Sequence, residues 1–156
     1  MLERKRKLDC ANGREKADLV LKNGNVLNVF TEEVLKADVA ICGDTIVGVG
    51  EYEGKEEIDC TGKYLVPGFI DAHMHIESCM AAPGELAKVL AKAGTTTIIA
   101  DPHEIVNVSG TKGMDYFLKC AAKLLVNVFF MVPSAVPATD VETNGCGEFL
   151  ASEICG

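Results

Sequence analysis

The sequence predicts an α/β protein in which a small all-β unit precedes the first three βα units of an incomplete (β/α)8 barrel. Residues 18–66 consist of short β-type runs separated by turn residues, a pattern typical of hairpins. Residues 67–156 alternate apolar runs with segments of helical periodicity, in the order β-α-β-α-β. Right-handed crossovers place the three strands of such a segment in one parallel sheet, with the helices outside it.

The composition is that of a globular protein, because 48% of the 156 residues are hydrophobic and 24% are charged. The formal net charge is −8, so no nucleic-acid partner is expected, since the phosphates would be repelled. No run approaches the ~18 apolar residues of a membrane span, and the N-terminus does not resemble a signal peptide. The seven cysteines contain no C-x-x-C pair, which favours reduced thiols in a cytoplasmic protein over a disulfide framework.

Residues 1–17 are predicted to form an N-terminal tail. Their main feature is the basic run from Arg4 to Lys7. Such a run can be a targeting signal or a patch that binds nucleic acid. We favour a solvated tail, because chain termini are usually loose and polar.

Six short strands are predicted for the all-β unit, residues 18–66. Asn23-Gly24 is a strong signal for a hairpin turn between the first two of these strands. Alternating apolar and polar residues in 37–41 are typical of a strand with one buried face. The predicted strands are 18–22, 25–30, 37–41, 45–50, 58–60 and 64–66.

The start of the barrel, residues 67–156, is predicted to contain three strands and two helices. Pro83 stands where a helix can begin, and apolar residues at helical spacing follow it up to Gly94. A (β/α)8 barrel takes ~250 residues, so we expect the 156 residues to be a fragment or a truncated relative of a larger protein. The predicted order is strand 69–73, helix 83–93, strand 95–100, helix 112–125 and strand 126–132.

Two histidines one residue apart lie at the end of the strand 69–73. Residues two apart in a strand point the same way, so Asp71, His73 and His75 are predicted to share one face. At the carboxyl end of a barrel strand this face points into the barrel mouth, where the active sites of (β/α)8 enzymes lie. Two imidazoles there can bind one divalent ion. The alternative is a pair of partly exposed strand histidines that bind no ion.

A second group of ionisable residues, Asp101-Pro102-His103-Glu104, directly follows the strand 95–100. The group either forms a solvated loop with helix-capping carboxylates or faces the same barrel mouth as the two histidines. Five residues are candidates for lining the pocket or for supporting the metal ligands. These candidates are Glu77, Asp101, His103, Glu104 and Ser134.

Four segments together resemble the N-terminal portion of the adenine deaminases, which are members of the metal-dependent amidohydrolase superfamily. The element P-G-F-I-D-A-H-M-H alone indicates only the superfamily, which includes dihydroorotases and hydantoinases. The combination with the other three segments is more specific. The four segments are D-L-V-L-K-N-G (18–24), P-G-F-I-D-A-H-M-H-I-E-S (67–78), G-T-T-T-I-I-A-D-P-H-E-I-V-N-V (94–108) and F-F-M-V-P-S-A-V-P-A-T-D-V-E-T-N-G (129–145).

The resemblance implies a small β-sandwich, formed by N- and C-terminal segments, beside a (β/α)8 barrel. It also implies hydrolytic deamination of adenine to hypoxanthine and ammonia, a step of purine salvage, at a two-metal centre that commonly holds manganese or iron. His73 and His75 match the metal ligands of the first strand. We expect a small-molecule substrate, no nucleic-acid or membrane partner, a cytoplasmic location, and a homo-oligomer at full length.

No catalytic residue can be assigned within the chain, because the resemblance places the bridging carboxylate and the proton-transfer groups beyond residue 156. We therefore expect this chain by itself to be inactive. We also expect it to bind a divalent ion weakly, since two histidines are fewer ligands than proteins usually supply to zinc. Two alternatives stay open: another cyclic amidohydrolase, similar to dihydroorotases or hydantoinases, and a truncated module without catalytic activity.

Overall fold

Two compact units, Met1–Pro67 and Gly68–Gly156, make up the chain in the computed structural model. The structure describes residues 2–133, 136, 137, 139, 141 and 145. Each unit contains one β-sheet and at least one helix, so the fold is α/β. In the described part of the chain, no helix combines the length and the hydropathy that a membrane crossing requires.

The first unit is a five-stranded mixed sheet preceded by a helix. The elements are α1 (Leu2–Ala11), β1 (Ala17–Asn28), β2 (Glu33–Cys42), β3 (Thr45–Gly50), β4 (Gly54–Asp59) and β5 (Tyr64–Leu65). The strand β1 is central, because it pairs antiparallel with β2 and parallel with β4 and β5, while β3 pairs with the other edge of β2. Ala17, Val20 and Ala40 form a buried cluster on this sheet, and Tyr52 packs against it.

The N-terminal segment differs from the loose tail that the sequence suggests, because residues Leu2–Ala11 form the helix α1. This helix contacts β2 and β3. Arg6 forms an ion pair with Asp18, and Lys7 forms one with Asp44. Half of the basic run therefore binds carboxylates of the same unit, and these partners lie too far along the chain for local sequence patterns to indicate them.

The predicted hairpin turn at Asn23-Gly24 is wrong, because β1 continues through both residues. The register of β1 against β2 shifts at this point, which marks a β-bulge, and Asn23 has a φ of 60°. The Asp38 carboxylate accepts the Asn23 backbone N–H at 2.9 Å and so holds the bulge. A Cβ atom at Gly24 would lie 2.5 Å from Leu65 Cδ1. The positive φ of Asn23 and the absence of a side chain at Gly24 also suit a turn, but in this structure they form a bulge.

The second unit is a parallel three-stranded sheet in the order β6-β7-β8. Its buried cluster consists of Ile76, Ile98, Ala100 and Phe117, and residues from α2 and β8 pack against it. Because β6 and β7 are parallel neighbours, their carboxyl ends lie at the same edge of the sheet. The elements are β6 (Phe69–Met74), a short 3-10 helix (Glu77–Cys79), α2 (Pro83–Lys92), β7 (Thr95–Ala100), α3 (His103–Ser109), α4 (Thr111–Ala121) and β8 (Asn127–Phe130).

One helix of this unit, α3, is absent from the elements that the sequence predicts. The predicted strands 69–73 and 95–100 correspond to β6 and β7, and the predicted helix 83–93 corresponds to α2. The polar run after β7 has the composition of a loop, but it begins a helix of seven residues directly after Pro102. This helix matters for function because Glu104 lies in its first turn.

Candidate metal centre

The carboxyl end of β6 carries His73 and His75. The strand ends at Met74, so His75 follows one residue beyond it. The His73 side chain is exposed and the His75 side chain is half-buried. Their ring centroids are 5.2 Å apart, with 77° between the ring planes. Asp71 accepts the backbone N–H of His73 at 3.2 Å, so this carboxylate supports the strand end.

Asp101 directly follows β7 and joins the two histidines. Its backbone N–H donates to the Met74 carbonyl at 2.8 Å, which places Asp101 beside the end of β6. One donor atom each from His73, His75 and Asp101 lies within 4.8 Å of the other two. The sequence predicts Asp101 to line the pocket or to support the metal ligands. The pairing of β6 with β7 places it beside the two histidines as a third donor.

The three donors fit a divalent metal ion. Asp101 Oδ1 is buried and has no hydrogen-bond partner among the residues that the structure describes. Buried carboxylate oxygens are normally hydrogen-bonded or bound to a cation, so this oxygen suits an ion. Imidazole nitrogens and a carboxylate oxygen are also ligands that proteins supply to divalent transition metals.

Glu104 contacts His75 from the first turn of α3. His75 Nδ1 lies within hydrogen-bond distance of Glu104 Oε2, at 2.9 Å, and the Ser78 hydroxyl donates to Glu104 Oε1 at 3.0 Å. The hydrogen bond to Glu104 raises the pKa of His75 above its ordinary value. Partial burial acts to raise the pKa of Glu104, but hydrogen bonds from its own backbone, His75 and Ser78 outweigh burial and lower this pKa.

Glu77 links the segment after β6 to the helix after β7. Its Oε1 accepts the backbone N–H of Ile105 at 2.8 Å, which satisfies one of the free N–H groups in the first turn of α3. Its Oε2 is buried and has no hydrogen-bond partner within the described residues. Glu77, after β6, contacts α3, and Glu104, in α3, contacts His75 after β6. The two carboxylates therefore link the ends of β6 and β7.

Three of the described candidates, Glu77, His103 and Glu104, do not belong to the group of three donors. His103 is half-buried at the first residue of α3 and is outside this group. Ser134 lies outside the residues that the structure describes. Of the five candidates, Asp101 is therefore a donor, Glu104 contacts a donor, and Glu77 supports the helix that carries Glu104.

Three metal-ligating side chains cluster at neighbouring strand ends of a parallel sheet. The chain is therefore an α/β protein with a candidate metal centre. A family model described as the amidohydrolase family matches residues 64–153, which is more than half of the chain. The chain therefore belongs to the amidohydrolase family.

Among known proteins, the chain is similar to bacterial adenine deaminases. It is 57% identical over 142 residues to the adenine deaminase of Desulfitobacterium hafniense (strain Y51), an alignment that covers 91% of this chain and 25% of that protein. It is 52% identical over 139 residues to the adenine deaminase of Clostridium acetobutylicum, covering 89% of this chain and 24% of that protein. The chain thus spans about a quarter of the length of these relatives.

Two solved structures share the fold. The N-acyl-D-glutamate deacylase from Bordetella bronchiseptica, solved with zinc and a phosphonate inhibitor, has a TM-score of 0.63 at 19% identity, covering 89% of this chain and 34% of that chain. A D-aminoacylase has a TM-score of 0.60 at 25% identity, covering 77% of this chain and 30% of that chain. Both comparisons agree with an amidohydrolase fold.

Proposed function

We propose that the whole protein to which this chain belongs hydrolyses adenine to hypoxanthine and ammonia. The observation that carries the proposal is the convergence of His73, His75 and Asp101 at two strand ends, in a chain 57% identical to an adenine deaminase. Residues beyond this chain would supply the rest of the active site, because the relatives are about four times as long. The 156 residues by themselves are therefore expected to be inactive.

His73, His75 and Asp101 would hold a divalent ion in this protein. When bound, such an ion would supply a nucleophile at neutral pH by lowering the pKa of a water molecule. We infer manganese or iron, in a two-metal centre at full length, from the resemblance to the adenine deaminases. The two imidazoles would supply nitrogen donors, and the carboxylate would offset part of the charge of the ion.

We also infer the architecture of the whole protein. Residues 18–66 would belong to a β-sandwich completed by a later part of the protein, and residues 67–156 would begin a (β/α)8 barrel. The mixed sheet of the first unit and the parallel sheet of the second unit support this division. Donors at the carboxyl ends of β6 and β7 also agree with the position of active sites in such barrels.

The cellular role follows from this chemistry. Conversion of adenine to hypoxanthine would serve purine salvage, with a small molecule as substrate and no nucleic-acid or membrane partner. The net charge of −8 supports the expectation of no nucleic-acid partner, because phosphates would be repelled. We infer a cytoplasmic location, which the five described cysteines support because all are free thiols. We also infer a homo-oligomer at full length.

Ammonia release from adenine tests the activity. The full-length protein, prepared with Mn²⁺, should convert adenine to hypoxanthine, whereas Asp101→Asn should lose most of this activity because one metal ligand becomes a weaker donor. Asp115→Asn is the matched control, since Asp115 is exposed on α4. Turnover of dihydroorotate or a hydantoin without ammonia release from adenine would assign the protein to another amidohydrolase activity. No turnover of any of these substrates would favour a module without catalytic activity.

A further inference from the structure

The contact between Glu104 and His75 determines which ring nitrogen is left for an ion. Nδ1 of His75 lies 2.9 Å from Glu104 Oε2. An ionised carboxylate can only accept a hydrogen bond, so this contact requires the proton to be on Nδ1. A neutral imidazole carries one N–H donor and one lone-pair acceptor, so a donor at Nδ1 leaves the lone pair at Nε2. A ring held by its second nitrogen is fixed in both tautomer and orientation, which strengthens metal binding.

Glu104 is itself held in place on two sides. Its Oε1 accepts the Ser78 hydroxyl at 3.0 Å, so both carboxylate oxygens are engaged. The helix α3, which carries Glu104, is tied to the end of β6 by the bond from the Ile105 N–H to Glu77 at 2.8 Å. A carboxylate with these supports cannot rotate freely away from His75, so it can impose an orientation on the ring.

We propose that Glu104 is a positioning residue that holds His75 in the Nδ1–H tautomer, with Nε2 directed to the metal ion. The proposal rests on the metal centre proposed above. Glu104 acts through His75 and is not itself a metal ligand, in agreement with its absence from the group of three donors formed by the described residues.

Nitrogen NMR of the imidazole rings tests the tautomer without any metal. The spectrum is recorded on the full-length, metal-free protein at about pH 9, where histidine is largely neutral. His75→Asn identifies the His75 signals by their loss. The wild-type protein should show the Nδ1–H tautomer, and Glu104→Ala should change it to the Nε2–H tautomer that free histidine prefers in water. An Nε2–H tautomer in the wild type, or no change in Glu104→Ala, would overturn the proposal.

Metal affinity is the second measurement. Calorimetric titration with Mn²⁺ should show binding about 10 to 100-fold weaker in Glu104→Ala than in the wild type. Glu85→Ala is the matched control and should bind as the wild type does, because Glu85 is an exposed residue of α2 that pairs with Lys88. Glu104→Gln keeps the side-chain size and an acceptor oxygen, so its loss should be smaller. It serves in both measurements if Glu104→Ala does not fold.

Cobalt spectra separate positioning from ligation. At saturating Co²⁺, the visible absorption bands of Glu104→Ala should match those of the wild type, since the ligand set is unchanged. Changed bands would show that Glu104 is a ligand and would overturn the positioning role. A wild-type protein that binds no divalent ion contradicts the proposed metal centre, whereas a metal-binding wild type with the wrong His75 tautomer contradicts only the role of Glu104.

Discussion

The Lys22 ammonium donates to the Asp38 carboxylate at 2.6 Å, and only 8% of the Asp38 side chain is exposed. Asp38 also accepts the backbone N–H groups of Asn23 and Tyr52, at 2.9 Å and 3.2 Å. Lys22 donates in addition to the Tyr52 carbonyl at 2.8 Å. One buried carboxylate of β2 therefore joins the bulge of the central strand β1 to the segment after β3.

Replacement of Asp38 by asparagine should destabilise the protein. The substitution leaves the half-buried Lys22 ammonium without its charged partner, and loss of a hydrogen bond between charged groups costs about 1.5–3 kcal/mol. Urea denaturation of the full-length protein measures the change in the free energy of unfolding. Asp115→Asn is the matched control, because Asp115 is exposed on α4, and it should leave this free energy nearly unchanged. Equal stability of the two variants would contradict a structural role for Asp38.

The same carboxylate should make the stability depend on pH. Burial acts to raise the pKa of Asp38, but hydrogen bonds from Lys22, Asn23 and Tyr52 outweigh burial, so the pKa in the folded state is below its ordinary value. A lowered folded-state pKa stabilises the protein above the ordinary aspartate pKa of about 3.9, and this contribution is lost as the pH falls through the folded-state value. Denaturation curves from about pH 7 to pH 3 should therefore show a steeper loss below about pH 4 in the wild type than in Asp38→Asn. Parallel curves would contradict this linkage.

Thiol labelling should distinguish Cys10, at the buried end of α1, from Cys79, in the short 3-10 helix after β6. The Cys10 side chain is 0% exposed, and burial together with the neighbouring Cys42 raises the pKa of Cys10 to about 11. Cys79 is exposed. Because the thiolate is the reactive form, a disulfide reagent should label Cys79 quickly and Cys10 only on unfolding. Mass spectrometry of the labelled peptides measures both rates, and Cys79→Ser should remove the fast labelling of the peptide that contains residue 79. Rapid labelling of Cys10 would contradict the docking of α1.

Gly113 should not tolerate a side chain. A Cβ at this position of α4 would lie 2.6 Å from the Ile105 carbonyl oxygen in α3, so Gly113→Ala should push the two helices apart at a cost of about 1–3 kcal/mol. Gly84→Ala is the control, since a Cβ there meets nothing within 4 Å, and in α2 it should stabilise the protein by about 0.4–1 kcal/mol. Thermal denaturation compares the two variants, and a neutral Gly113→Ala would contradict the close contact of α3 with α4.

Metal removal should lower the melting temperature of the full-length protein. A ligand that binds the folded state alone stabilises it, by about 2.7 kcal/mol at a concentration of about 100 times its dissociation constant. Mn²⁺ should therefore raise the melting temperature of the wild type, and a chelator should reverse the change. His73→Ala should abolish most of this shift, because one of the three donors is lost. An equal shift in His73→Ala would place the ion at another site.

Local sequence patterns predicted several parts of this structure well. The β-branched run 95–100 is β7, and the helical spacing after Pro83 is α2. The H-x-H spacing predicts that His73 and His75 share a face, and their rings lie next to each other. These features depend on residues that lie only a few positions apart in the chain, so local sequence patterns can predict them.

The Asn23-Gly24 bulge shows where local patterns are not enough. A positive φ at Asn23 suits both a hairpin turn and a bulge, and the local sequence favours the turn. The bulge prevails because Asp38, 15 residues away, binds the Asn23 N–H. The docked helix α1 has a similar origin, since the Asp18 and Asp44 partners of its basic residues lie in other segments of the unit.

Sequence patterns alone indicate the α/β class, the strand that carries His73 with His75 just beyond its end, and the resemblance to the adenine deaminases. The folded chain adds Asp101 as a third donor and brings Glu104 into contact with His75, 29 residues away. Parallel strands bring their carboxyl ends to one edge of a sheet only after the register of β6 and β7 is set. That register depends on packing and on hydrogen bonds across the sheet.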